Sequence, residues 1–161
     1  MLTIAGNGMG KYDFSNLELN FYNYDKIICD LNFIDNGRNI LKLKFKDAQD
    51  YILENFEKEN ILYIVTGSPL FFSAGTIIAN KLPKDKVKII NNISSKTYLL
   101  EKLFVSENDV SVVSIHGRVS IDLEEFLKKK YTFVLCVKNS IKRLNEALSF
   151  FQKESISATI G

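Results

Sequence analysis

The sequence predicts an α/β protein with a largely parallel sheet, and three observations carry that expectation. Short strand-like runs alternate with amphipathic segments for most of the length. The run ILYIVT at 61–66 is continuously apolar and rich in branched residues, the composition of a central strand covered on both faces. Three of the apolar runs, at 2–5, 61–66 and 87–90, end in clusters of Gly, Asn or Ser, as strands that feed turns do.

In chain order, LTIA (2–5) and KIIC (26–29) read as strands. Between 47 and 58, Ala48, Tyr51, Ile52, Asn55 and Phe56 share one helical face, with Asp47 as the expected N-cap. After the central strand, GSPLFFSAG (67–75) leads into a helix through Leu82 that Pro83 stops, and VKII (87–90) is the next strand. A helix over 96–104 follows, capped by Ser94 or Ser95.

The polar stretch SENDVS then marks the expected domain boundary, giving an N-terminal α/β domain over 1–106 and a smaller C-terminal α/β domain over 107–161. In the second, VSVVSI (110–115), a helix near 121–130, FVLCV (133–137) and a helix from Ser140 to about Gln152 repeat the alternation. Ile141, Leu144, Leu148 and Phe151 are spaced for one buried stripe of that last helix. The tail SISATIG reads as one more strand, and so few strands make the second domain thin, so it is expected to be incomplete at its C-terminus.

Composition excludes several classes. With 161 residues and 46% hydrophobic content the chain can bury a real core, which argues against disorder. Lys and Arg number 21 against 19 acidic residues, and a net charge of +2 gives no reason to expect a nucleic-acid partner. Cys29 and Cys136 lie far apart in apolar runs, as buried thiols of a reduced cytoplasmic protein do. No apolar stretch approaches the ~18 residues of a membrane span, and the N-terminus lacks the basic region of a secretory signal.

Four segments have the residue types to bind a ligand. The first, GNGMG, places Gly6, Gly8 and Gly10 at every second position. A dinucleotide turn needs GxGxxG, whose third glycine would fall on Lys11, and KYDFSNLEL offers no long helix to hold a pyrophosphate. A tight strand-exit turn accounts for each glycine singly, whereas three together suggest a backbone kept clear for a bulky planar or charged ligand. The second, TGSPLFFSAG, sets two phenylalanines in a small-residue loop at a strand's C-terminal end, where open α/β sheets bind ligands. A plain β-α turn with two core aromatics explains it equally well.

The third, IINNISSKTY, carries Asn91, Asn92, Ser94 and Ser95, more polar side chains than helix capping alone requires. The fourth, SIHGR, holds the only histidine, His116, and Arg118, which beside a glycine can pair a carboxylate in bidentate fashion. A lone histidine is more often structural than catalytic, and neither a Ser/Asp/His order nor a metal-ligand cluster accompanies it. No metal is expected, and no catalytic dyad is assigned.

Taken in this order, GNGMG, TGSPLFF, NNISS and SIHGR resemble the class III, tetrapyrrole-type methyltransferases, most closely the corrin branch that methylates carbon 5 of a cobalt-precorrin. The family motifs read GxGPG, SGDPLFF or SGDPLFY, PGVSS and, in this branch, SLHGR. The chain departs from them at Met9 in place of proline, at Ser68 in place of aspartate, and at Asn91-Asn92-Ile93 in place of PGV.

The resemblance implies a homodimer of two-domain chains that hold S-adenosyl-L-methionine and release S-adenosyl-L-homocysteine. It implies methyl transfer to a ring carbon of a precorrin or cobalt-precorrin in cobalamin biosynthesis. A methylase-decarboxylase acting at carbon 15 of the same corrin would be a partner. On the same footing Gly67, Ser68, Pro69, Leu70, Phe71, Ser94 and Ser95 would hold the methyl donor. Gly6, Gly8, Gly10, Lys11, His116 and Arg118 would meet the macrocycle and its peripheral carboxylates. The alternatives are a class III enzyme acting on ribosomal RNA or building diphthamide, and a non-catalytic ligand-binding relative of the fold. SIHGR favours the corrin branch. Lys11 disfavours a nicotinamide-dependent oxidoreductase.

Overall fold

A computed structural model describes residues 1–15, 17–34, 40–114, 130–135, 145–146 and 149. The chain divides into two compact units, Met1–Tyr98 and Leu99–Gly161, with the division falling inside a helix rather than in the SENDVS stretch.

The first unit is built on a five-stranded sheet. Its strands are β1 (Leu2–Gly6), β2 (Lys26–Cys29), β3 (Ile40–Lys42), β4 (Ile61–Val65) and β5 (Val87–Ile90), all paired in parallel in the order β3-β2-β4-β1-β5. β1 and β4 are buried at every position, as expected of largely apolar strands covered on both faces; in β1 the polar Thr3 is buried with them. β5 is an edge strand, and its central Lys88 and Ile89 are exposed. β3 was not legible in the sequence: ILK is short, half-buried at each residue, and pairs only with β2.

The two faces are covered differently. Ile61, Tyr63 and Val65 of β4 and Leu2 and Ile4 of β1 pack with Ala48 and Ile52 of α1 (Phe45–Asn55) and Ile78 of α2 (Ala74–Ala79). Alternate residues of the same strands, Leu62, Ile64 and Ala5, pack instead on Phe14, Leu17 and Phe33, which come from irregular chain. The Phe14 and Phe33 rings stack with centroids 5.6 Å apart, and Tyr12 meets Phe33 edge-on at 5.5 Å. The segment after GNGMG therefore does a helix's work of covering a sheet face with aromatic side chains.

Two helix ends differ from expectation. The N-cap of α1 is Lys44, three residues before the expected Asp47, and it makes no side-chain cap; Asp47 sits in the first turn, where its charge favours the helix dipole. α2 ends at Ala79, and turns rather than helix carry the chain through Leu82 to Pro83. The helix expected over 96–104 is α3 (Ser95–Leu103).

In the second unit, β6 (Val110–Ser114) and β7 (Tyr131–Leu135) pair in parallel, with Val110 opposite Tyr131 and Ser114 opposite Leu135. The helices expected near 121–130 and from Ser140, Cys136, and the strand expected in SISATIG lie largely or wholly outside the described residues. No helix among the described residues is long and apolar enough to cross a membrane.

Candidate functional site

The sheet order sets β4, β1 and β5 side by side, so the loops leaving their C-terminal ends are neighbours. Those loops are GNGMG, TGSPLFF and NNISS, three of the four segments singled out in the sequence. The fourth, with His116 and Arg118, lies outside the described residues.

Backbone hydrogen bonds join the first two loops beyond the end of the sheet. Asn7 N donates to Val65 O (2.8 Å), Gly8 N donates to Gly67 O, and Gly67 N returns a bond to Gly8 O, both at 3.1 Å. This antiparallel bridge continues the contact after the parallel ladder has ended. Asn7 is buried, and its Nδ2 donates to Lys11 O (3.0 Å), closing the turn over Met9 and Gly10. Met9 and Lys11 are exposed at the tip.

The third loop is tied in by side chains. Ser68 Oγ donates to Asn91 Oδ1 (2.6 Å) and accepts from Leu70 N (3.0 Å), while Asn92 Nδ2 donates to Gly6 O (3.0 Å). Ser68 is buried, so its satisfied hydroxyl belongs to the framework of the loop. The Pro69 carbonyl accepts from Thr76 Oγ1, which fixes the loop to the start of α2.

The glycines divide by role. At Gly6 an added Cβ would lie 2.4 Å from Gly67 O and 2.6 Å from Pro69 Cδ, so here the bare backbone serves the close approach of two loops. At Gly8 the corresponding space is filled by the Asn92 carboxamide. Gly67 is the reverse case: its φ of +64° favours glycine, yet nothing lies within 4 Å of where a Cβ would stand. The backbone kept clear toward open space is thus at the β4 exit.

Around it the loop turns apolar groups outward. Leu70 is 57% exposed and Phe72 49% exposed, with Phe72 at a φ of +44°, while Phe71 is half-buried and meets the Phe72 ring edge-on at 4.9 Å. The sequence marks both phenylalanines of this loop, but the left-handed backbone that turns Phe72 outward has no signature in residue type. Ser94 is the N-cap of α3: its Oγ accepts from Thr97 N (3.0 Å) and lies 3.0 Å from Thr97 Oγ1. Ser95 opens the helix and is half-buried. One serine therefore does serve as a cap, and the two asparagines that capping left unexplained are inter-loop ties.

Beside these ties a cleft of about 380 Å³ is lined by Gly6, by Ile90, Asn91 and Asn92 at the end of β5, and by Leu17, Glu18 and Leu19. Among the described lining residues Glu18 carries the charge. Among the described residues no group of three or more His, Cys, Asp or Glu side chains comes together. Asp13, half-buried beyond the glycine turn, is held below its ordinary carboxyl value by the Ser15 hydroxyl and amide that donate to it. The cradle consists of backbone amides, small side chains and apolar surface, suited to holding and orienting a ligand.

The described sheet and helices form an α/β fold like that of tetrapyrrole methylase structures. No family model matches the chain. The described sheet nonetheless agrees with solved structures: the chain resembles the methyltransferase CobJ with a TM-score of 0.71, at 13% identity, over 95% of this chain and 75% of that one. It resembles the cobalamin biosynthesis precorrin-6Y methylase of Archaeoglobus fulgidus with a TM-score of 0.62, at 22% identity, over 83% of this chain and 72% of that one. In sequence it is similar to the cobalt-precorrin-7 C(5)-methyltransferases of Salmonella typhimurium strain LT2 and Salmonella typhi, 33% identical over 60 residues, or 37% of this chain. That match spans 30% of the length of those relatives. The resemblance read from GNGMG, TGSPLFF, NNISS and SIHGR points to the same group of proteins.

Proposed function

We propose that the chain transfers a methyl group from S-adenosyl-L-methionine to a ring carbon of a precorrin or cobalt-precorrin in cobalamin biosynthesis. The observation that carries the reading is the knitting of three adjacent strand exits, β1, β4 and β5, into one cradle whose motifs resemble those of the class III methyltransferases.

Bound S-adenosyl-L-methionine would supply an electrophilic sulfonium methyl, which an electron-rich ring carbon accepts as the carbon–sulfur bond breaks and its electron pair stays on sulfur. The residues present suit such a donor, because the Gly67 Cα faces open space that any side chain would fill. Gly67, Ser68, Pro69, Leu70 and Phe71 hold the donor side: the loop offers backbone groups at Gly67 and an apolar cover at Leu70, with Ser68 and Pro69 fixing its shape. Ser94 and Ser95 stand at the start of α3. Gly10 and Lys11 at the exposed tip of the turn, with His116 and Arg118, take the macrocycle's carboxylates in this reading, whereas Gly6 and Gly8, whose Cα atoms face neighbouring loops, serve by packing the turn rather than by meeting the ring. The chemistry asks mainly for alignment of carbon, methyl and sulfur, so positioning supplies most of the acceleration and no strong base is needed at the start.

Operation as a homodimer in the cytoplasm, and alongside a carbon-15 methylase-decarboxylase, belongs to the same proposal. Calorimetric titration with S-adenosyl-L-homocysteine tests it: saturable binding is expected, and no detectable heat at millimolar ligand would count against methyl transfer. Binding of that ligand with methylation of an RNA or of diphthamide precursors, and not of a corrin, would move the chain to another branch of the fold.

A further inference from the structure

We propose that Asn92 is a positioning residue that locks the glycine turn onto the β4 exit loop, and that ligand binding at the cradle depends on this lock. The inference rests on the methyltransferase reading for its choice of ligand, but its geometric part stands alone.

The sheet ends unevenly at this point. β5 pairs with β1 only as far as Ala5 opposite Ile90, whereas β4 pairs with β1 through Gly6 opposite Val65. The Gly6 carbonyl is thus the first on β1 beyond the last pairing with β5, and Asn92 Nδ2 donates to it at 3.0 Å. A side-chain amide continues the hydrogen bonding where the strand stops. The same carboxamide accepts from Ile93 N through Oδ1 (2.8 Å), which fixes its orientation, and it fills the space beside the Gly8 Cα. Gly8 in turn exchanges both backbone hydrogen bonds with Gly67, the residue whose Cα faces open space. Asn92 therefore reaches the ligand-facing backbone through one intermediate residue.

The chain's departures from the family motifs are partners here. Ser68 and Asn91 bond to each other, and Asn92 bonds to the turn that carries Met9 in place of a proline. Side-chain hydrogen bonds supply restraint that a proline ring would otherwise give to the turn.

Asn92→Asp is the discriminating variant. It is isosteric and keeps the acceptor for Ile93 N, but an ionised carboxylate cannot donate to Gly6 O. At pH 8, amide hydrogen exchange of Asn7, Gly8 and Gly67 in the full chain is expected to lose about tenfold in protection, while Ile27 and Ile28 of β2 keep theirs. Affinity for S-adenosyl-L-homocysteine is expected to fall by about tenfold, the loss of one part-buried hydrogen bond. Both effects should reverse at acid pH, because a protonated carboxyl regains the donor; a merely destabilised fold would not recover on acidification. Unchanged protection at Asn7, Gly8 and Gly67 would overturn the lock, and lost protection with unchanged affinity would overturn its link to binding. Wild-type protein that fails to bind S-adenosyl-L-homocysteine would instead sink the functional reading and, with it, that link; the exchange result would still decide the lock.

Discussion

Replacing Gly6 with alanine is expected to destabilise the first unit by about 2 kcal/mol, through a clash that no side-chain rotation relieves. The added Cβ would lie 2.4 Å from Gly67 O, 2.6 Å from Pro69 Cδ and 3.2 Å from Asn92 Cβ. These are backbone, ring and β-carbon atoms, and two of the three belong to a loop fastened at the Gly8–Gly67 bridge and the Pro69–Thr76 hydrogen bond. Overpacking of this kind costs about 1–3 kcal/mol, and the rigidity of the neighbours places Gly6 near the upper end. Removing a glycine from the unfolded chain returns roughly 0.5–1 kcal/mol. For a unit of this size the net loss predicts a melting temperature lower by roughly 8–16 °C in thermal unfolding followed by circular dichroism. Gly67→Ala is the internal control: it meets no neighbour, and its strain is the roughly 1–2 kcal/mol of a left-handed backbone, less the same entropic return. Gly67→Ala should therefore melt closer to wild type yet lose more affinity for S-adenosyl-L-homocysteine. Gly6→Ala melting with the wild type would refute the argument that the bare backbone of this turn serves loop packing.

Three further outcomes are expected. Ser94→Ala should cost about 0.5–2 kcal/mol in denaturant unfolding through loss of the α3 cap, and combined with Ser95→Ala it should weaken S-adenosyl-L-homocysteine binding while unfolding stays cooperative. Unchanged affinity would remove both serines from the site. Phe33→Ala should cost about 3–5 kcal/mol by chemical denaturation, a core-sized loss from a residue in irregular chain; a loss below about 1 kcal/mol would show that segment to be surface rather than core. Burial pushes the Tyr63 phenol up to about 12 from 10.0, with Asp30 and Cys29 adding to the shift. The folded value lies above the unfolded one, so this contribution is present below about pH 10 and is lost as pH rises toward about 12. A phenolate absorbance titration of wild type against Tyr63→Phe should show one late-titrating tyrosine missing in the variant.

Much of the first unit was legible because its signals are local and strong. KIIC and VKII became β2 and β5 residue for residue, and the apolar run at 61–66 became the central β4. β3 was missed because three half-buried residues on a sheet edge carry neither a run nor an alternation long enough to read. Asp47 was assigned a cap that the helix does not have, since a side chain suited to capping sits equally well in the first turn.

The candidate site was legible as segments and not as a circuit. Gly6, Gly8 and Gly67 could be picked out by type, but which of them packs against a neighbour and which faces open space depends on the order of strands across the sheet. Asn7, between two glycines, bonds the backbone of its own turn at Lys11, a role common to asparagine in turns that its residue type alone does not single out. The pairing of Ser68 with Asn91 spans 23 residues and follows only once β4 and β5 are known to flank β1.

The most direct test of the account is a transfer assay with S-adenosyl-L-methionine labelled at the methyl carbon and a corrin intermediate that lacks the carbon-5 methyl. Label appearing on a ring carbon of the corrin, with one S-adenosyl-L-homocysteine released for each methyl transferred, is the predicted result. Binding of both ligands without transfer of label would contradict it and leave the cradle as a binding site alone.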